Sequence, residues 1–115
     1  MDVQEQSCNE FLKSVWNAIE KGKIIPINRD KNINSLAKLG ITWSDALSYL
    51  KKLRYTDYCK GPSVDRDQPD SDYMWVFKTY IESEIVYIKM KVLYQKNNEL
   101  KIISFHIDDD FDKEE

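Results

Sequence analysis

The chain of 115 residues holds a single histidine, His106, the side chain whose ordinary pKa of about 6.5 suits it to moving a proton near neutrality. A lone histidine at a strand end is more often structural. Spacing gives this one company: in an extended segment Ser104 lies on its side, and Tyr87, Lys89 and Lys91 share one face of the preceding extended run. An imidazole, a phenol, a hydroxyl and two ammonium groups on one surface suit cleavage of RNA by its own ribose. Attack of a 2′-hydroxyl on the adjacent phosphate needs a proton acceptor, a proton donor for the departing 5′ oxygen, and cations aimed at the phosphoryl oxygens. His106 can handle a proton, Lys89, Lys91, Lys60 or Arg66 can hold the phosphate, and Tyr87 can hydrogen-bond or stack on a base. The scheme requires no metal and no cofactor.

These groups depend on three runs rich in β-branched and aromatic residues, 73–81, 85–94 and 100–107. Short polar breaks, Glu82-Ser83-Glu84 and residues 95–99, have the length that joins antiparallel neighbours. In the second run Val86, Ile88, Met90 and Val92 point one way and Tyr87, Lys89 and Lys91 the other. Strict alternation in the third groups Leu100, Ile102, Ser104 and His106 on one side, with Lys101, Ile103, Phe105 and Ile107 opposite. In the first run Trp75 and Phe77 belong to the core before they belong to a base-stacking platform with Tyr80 and Tyr87. The site depends on register: a slip of one residue disperses it.

The apolar face of such a meander needs a cover, and the N-terminal half supplies helices. Phe11, Leu12, Val15, Trp16 and Ile19 recur at three and four residues over 9–21, with Gly22 placed to end that helix. Ile24, Ile25, Pro26 and Ile27 form an edge strand or a tether. Asn28 or Asp30 caps a second helix through Ile33, Leu36 and Leu39, with Gly40 just beyond. Thr42 and Asp45 form a capping box for a third, whose buried stripe is Ala46, Leu47, Leu50 and Leu53 and whose staple is Ile41. Residues 58–72 are long for a connection; Gly61-Pro62 and Pro69 fix turns, and Asp65-Arg66 and Asp67 either tie the loop down or face a ligand, against the plainer reading of a solvated loop.

The expected fold is therefore α+β: N-terminal helices packed on a C-terminal antiparallel sheet of at least three strands, a single domain over 1–115 with 1–8 and 108–115 as flexible ends. Apolar content of 42% suffices for a core without metals or disulfides. Cys8 and Cys59 make no C-x-x-C pair, and no run is long enough to cross a membrane, so a cytoplasmic protein is the simplest reading. The formal charge of −3 divides unevenly, as +2 over 1–59, 0 over 60–106 and −5 over 107–115. The body is weakly positive, which admits phosphate contacts but speaks against a broad nucleic-acid-binding surface. Asp108, Asp109, Asp110 and Asp112 lack the glycine and terminal glutamate of a calcium loop and read as a solvated tail. Glycine-rich phosphate loops, G-x-S-x-G and H-E-x-x-H are absent, and nothing in the sequence supports Cys59 as a nucleophile.

In order, DYCKGPSVDRDQP, WVF, VYIKMKV and IISFH resemble the MqsR family of toxins from type II toxin-antitoxin systems, within the broader RelE-like fold, and the match runs from near Phe11 to His106. The resemblance implies an mRNA interferase: a metal-independent endoribonuclease that cuts single-stranded mRNA, arrests growth and is neutralised by a cognate antitoxin. It also implies catalytic roles for Lys60, Tyr87 and Lys89, and places His106 where the best-known member has a catalytic lysine, S-F-H standing in place of S-F-K. Arg66, Lys91 and Ser104 are the accompanying candidates for substrate binding. A second departure is Trp75-Val76, where that member has W-Q with a glutamine in the site; Val76 has no side-chain hydrogen-bonding group. The alternative is a catalytically inactive RelE-like interaction or RNA-binding protein, since fold alone does not carry function.

Overall fold

The computed structural model describes residues 2–68 and 72–108. Its elements are α1 (Val3–Glu20), β1 (Ile24–Pro26), α2 (Asp30–Leu39), α3 (Trp43–Leu50), a 3₁₀ turn (Tyr55–Asp57), β2 (Tyr58–Ser63), β3 (Met74–Ile81), β4 (Glu84–Leu93) and β5 (Glu99–Ile107). One sheet contains all five strands in the order β1-β5-β4-β3-β2. The three expected strands are mutually antiparallel neighbours, while β1 runs parallel to β5 and makes the sheet mixed. The connector is thus an edge strand. The first part of the long loop is a strand as well, the opposite edge of the sheet.

Helices cover one face. Phe11, Val15 and Ala18 of α1, Leu36 and Leu39 of α2, and Ala46 and Leu50 of α3 meet Phe77, Ile88, Met90, Ile102 and Phe105 in one core. The Phe11 ring stacks on Trp75 at 5.0 Å and on Phe77 at 6.2 Å, so both aromatics are core, as the sequence predicts. The capping box of α3 forms as expected, Thr42 and Asp45 each bonding the other's backbone N–H.

Several boundaries differ from the sequence reading. α1 begins at Val3, not near Asn9: Asp2 accepts from the Glu5 N–H at 2.7 Å, Gln4 bonds the hydroxyls of Tyr55 and Tyr58, and Cys8 is fully buried. These contacts tie down a segment expected to fray. Trp16 lies outside the core, 46% exposed, under the ammonium of Lys51. Neither Asn28 nor Asp30 caps α2; Asn28 accepts from the Trp43 indole, Arg29 occupies the cap position, and Asp30 is the first helical residue, where a carboxylate suits the dipole. Asp108, assigned to a flexible end, is buried and pairs with Lys78 at 2.8 Å. Pro69 and the acidic run 109–115 lie outside the described residues.

Candidate active site

The face away from the helices carries the polar groups in cross-strand rows. Lys60 pairs with Val76, Val76 with Lys89 and Lys89 with Ser104, so one row crosses four strands. In the next row Lys78 pairs with Tyr87, and Tyr87 with His106. Rows two residues apart on a strand are separated by roughly 7 Å. The Tyr87 and His106 rings stack at 5.2 Å, inclined by 17°. His106 is 7% exposed, yet it belongs to the open face and not to the helix-covered core.

Strict alternation along β5 fails, and the failure shapes the site. Between Lys89–Ser104 and Met90–Ile102 the register shifts, leaving Ile103 as an extra residue opposite β4. The bulge reverses the phase of the strand. Leu100 and Ile102 before it and Phe105 after it therefore all reach the core, while Ser104 and His106 face the open side. An unbroken strand would have put Leu100 and Ile102 on the same face as His106.

α2 holds this bulge where β1 has ended. The fully buried Asn32 donates to the carbonyls of Ile27 at 2.8 Å and Ile103 at 3.0 Å, and accepts from the Phe105 N–H at 3.0 Å. Ser35 accepts from the Ile107 N–H at 2.9 Å. Arg29 donates from Nη1 to the Ser104 hydroxyl at 3.0 Å. Side chains of a helix thus replace the missing neighbouring strand, leaving the backbone of β5 bonded without an open edge.

A cleft of about 770 Å³ lies over the row of Lys60 and Lys89, with Val76 in its lining. Gly61 lets β2 approach: its φ is +120°, and a Cβ there would sit 2.7 Å from the Met74 carbonyl oxygen. One wall is the segment after β2, fastened by an ion pair between Asp65 and Lys91 at 2.7 Å. Lys91 has no exposed surface. It is therefore a buried anchor for the loop and not the substrate-binding cation expected from sequence. Asp65 further accepts from the Asp67 N–H, which shapes the turn that carries Arg66. Ser104, 2% exposed, serves Arg29 and is set back from the cleft lining. Lys60, Lys89 and Arg66 line the cleft; Tyr87 and His106 form the adjoining row outside it.

Electrostatics distinguish the two rows. Burial lowers the His106 pKa below its ordinary value, and the nearby cations Lys31 and Arg29 lower it further, against the carbonyl of Ile107 and the charge of Asp108. Nδ1 lies 3.2 Å from that carbonyl oxygen. The neutral tautomer with its proton on Nδ1 donates to it and leaves Nε2 unprotonated. Burial also lowers the Lys89 pKa, with Lys60 and Arg29 adding like-charge repulsion. Among the described residues, His, Cys, Asp and Glu form no cluster of three suited to a metal, and no helix is long and apolar enough to cross a membrane.

Over residues 9–107 the sequence matches the family described as "Motility quorum-sensing regulator, toxin of MqsA". The chain belongs to the MqsR toxin family. No curated protein matches it. The four positions that the MqsR resemblance marks out fall in two adjacent rows of one face, Lys60 and Lys89 in one, Tyr87 and His106 in the other. Val76 stands between the two lysines of the first row, is buried, and gives the row no side-chain hydrogen-bonding group at that position. Arg29, Asn32 and Ser35 escaped the sequence reading of this MqsR-family chain. Their signal was a polar stripe at helical spacing beside Leu36 and Leu39, whose meaning depends on the long-range pairing of β1 with β5.

Proposed function

We propose that this toxin is an endoribonuclease that cleaves single-stranded mRNA in the cytoplasm and is neutralised by a cognate antitoxin. The observation that carries this reading is the stacked Tyr87–His106 pair, adjoining a row in which Lys89 lies close to Lys60 and Arg29. An imidazole kept neutral by burial is a proton acceptor at physiological pH, and an ammonium with lowered pKa is a better proton donor than an ordinary lysine.

In the proposed reaction Nε2 of His106 takes the ribose 2′ proton as the 2′ oxygen bonds to phosphorus. Lys60 and Lys89 offset the charge that grows on the phosphoryl oxygens. The P–O5′ bond breaks, Lys89 gives its proton to the leaving oxygen, and the products are a 2′,3′-cyclic phosphate and a 5′-hydroxyl. Tyr87 supports the imidazole from one face and offers its hydroxyl to the phosphate or a base.

The test is incubation of purified protein with a defined single-stranded RNA in EDTA, beside His106→Ala and Lys89→Ala. Cleavage by the wild type that both substitutions abolish is the expected result. Intact RNA at high protein concentration sinks the reading.

A further inference from the structure

The cleft does not contain the stacked Tyr87–His106 pair; it lies next to it, over the Lys89 row and toward Lys101 on β5. Lys60 and Arg66 line it from β2 and the segment that follows, Arg29 and Lys101 from the start of α2 and from β5. Among the described residues none of these four forms an ion pair with a carboxylate. Asp65, the buried acid of the lining, is engaged by Lys91. Like charges gathered in this way destabilise a fold, and an anion carrying several charges offsets the repulsion.

Among the cations the lining also holds the half-buried Ile103 as an apolar contact, whereas Val76 is buried beneath it. Alternating charge-binding and apolar contacts are what a nucleotide chain presents, a phosphate at each step and a flat base between. Along β5, Lys101 lies beyond Ser104 as seen from His106, and the rise of about 3.3 Å per residue sets it farther from the base than one phosphate's reach. Arg29 has donors to give: a guanidinium carries five N–H groups, and among the described residues its bonds to Ser104 and Ile103 come from Nη1 alone.

Resting on the reading of the site as one for RNA, we propose that the cleft is a subsite for the nucleotide flanking the cut. Arg29 and Lys101 bind the phosphate next to the scissile one, and Ile103 receives the flanking base.

The experiment uses RNA carrying 2′-O-methyl groups, which binds but cannot be cut, so its outcome is read apart from catalysis. Affinities of a dinucleotide with one phosphate and a trinucleotide with two are measured by chemical-shift titration over a range of salt. For the wild type the second phosphate should strengthen binding about tenfold at low salt and steepen the log–log salt dependence by about 0.7, the value for one neutralised phosphate of a single strand. Lys101→Ala should reduce that increment about threefold or more, Arg29 remaining on the phosphate, and leave the dinucleotide unaffected. Lys13→Ala, an exposed change on α1, should alter neither. An increment unchanged by Lys101→Ala, or an equal loss on both ligands, overturns the subsite. Cleavage of ordinary RNA with no increment overturns the subsite alone; an increment without any cleavage overturns the nuclease reading alone.

Discussion

The His106 imidazole lies on the Tyr87 ring, 5.2 Å between centroids and 17° from parallel, at directly paired positions of β4 and β5. Neither ring depends on a loop for its place. The backbone ladder that holds the sheet together also sets the separation of the two side chains, and burial under the stack keeps the imidazole in its neutral form.

Activity should therefore fall on the acid side. Because the folded pKa of His106 is lowered, the basic form persists below the ordinary value of about 6.5, and kcat/KM should be level from pH 7 to 8 and decline only below that value. His106→Lys should remove this inflection by putting a cation where the neutral imidazole stood. Stability has the same sign: the unfolded chain takes up the proton first, so this contribution is intact above about pH 6.5 and is eroded as pH falls toward the folded pKa. A profile flat from pH 5 to 8 would refute the assignment of His106 as the base.

Asn32→Leu should cost stability and activity together. It leaves the Phe105 N–H buried without its partner, at about 1–3 kcal/mol, and removes the shorter of two bonds to the Ile103 carbonyl, which keeps the 3.4 Å one from Arg29. Deleting Ile103 is the sharper test: it removes the bulge and joins Ile102 directly to Ser104, so the ladder becomes regular with Leu100 and Ile102 still on the core face and His106 still on the open one, and what is lost is the bond from Asn32 to the Ile103 carbonyl. Thermal unfolding and the chemical shifts of the His106 ring would report the two effects. A folded deletion variant whose His106 environment differs from the native one would show that the bulge does more than absorb one extra residue.

Lys91→Ala should destabilise by about 3–5 kcal/mol, because it strands the Asp65 carboxylate in a buried position. Replacing both partners, as in Asp65→Leu with Lys91→Met, should recover most of that loss. The bond from Lys91 lowers the Asp65 pKa below the usual carboxylate range. Its contribution is thus present above about pH 4 and disappears as pH falls through the lowered value. Denaturant midpoints at pH 7 and pH 3 measure both claims, and equal penalties for the single and double variants would contradict them.

Local pattern made much of this legible. The three-strand meander, the capping box at Thr42 and the core placement of Trp75 and Phe77 each follow from neighbours in sequence. Lys60, Tyr87, Lys89 and His106 were visible because they sit at alternating positions or in short motifs. Lys91 was misread by the same alternation: period two gives the face of a residue but not what folds over it, and Asp65 lies 26 residues away. The bulge at Ile103 was hidden because β-bulges have no strong local signature, and Arg29 because it reaches the site only through the pairing of β1 with β5.

That pairing has a consequence for the order of events during translation. β5 is synthesised after the four strands with which it shares the sheet, yet it sits inside, between β1 and β4. A nascent chain that has emerged only through β4 can assemble the β2-β3-β4 meander, with Lys60 and Lys89 in place. It has no imidazole, no bulge and no strand for α2 to grip. The ribosome thus handles a growing polypeptide that carries the cations but not the imidazole.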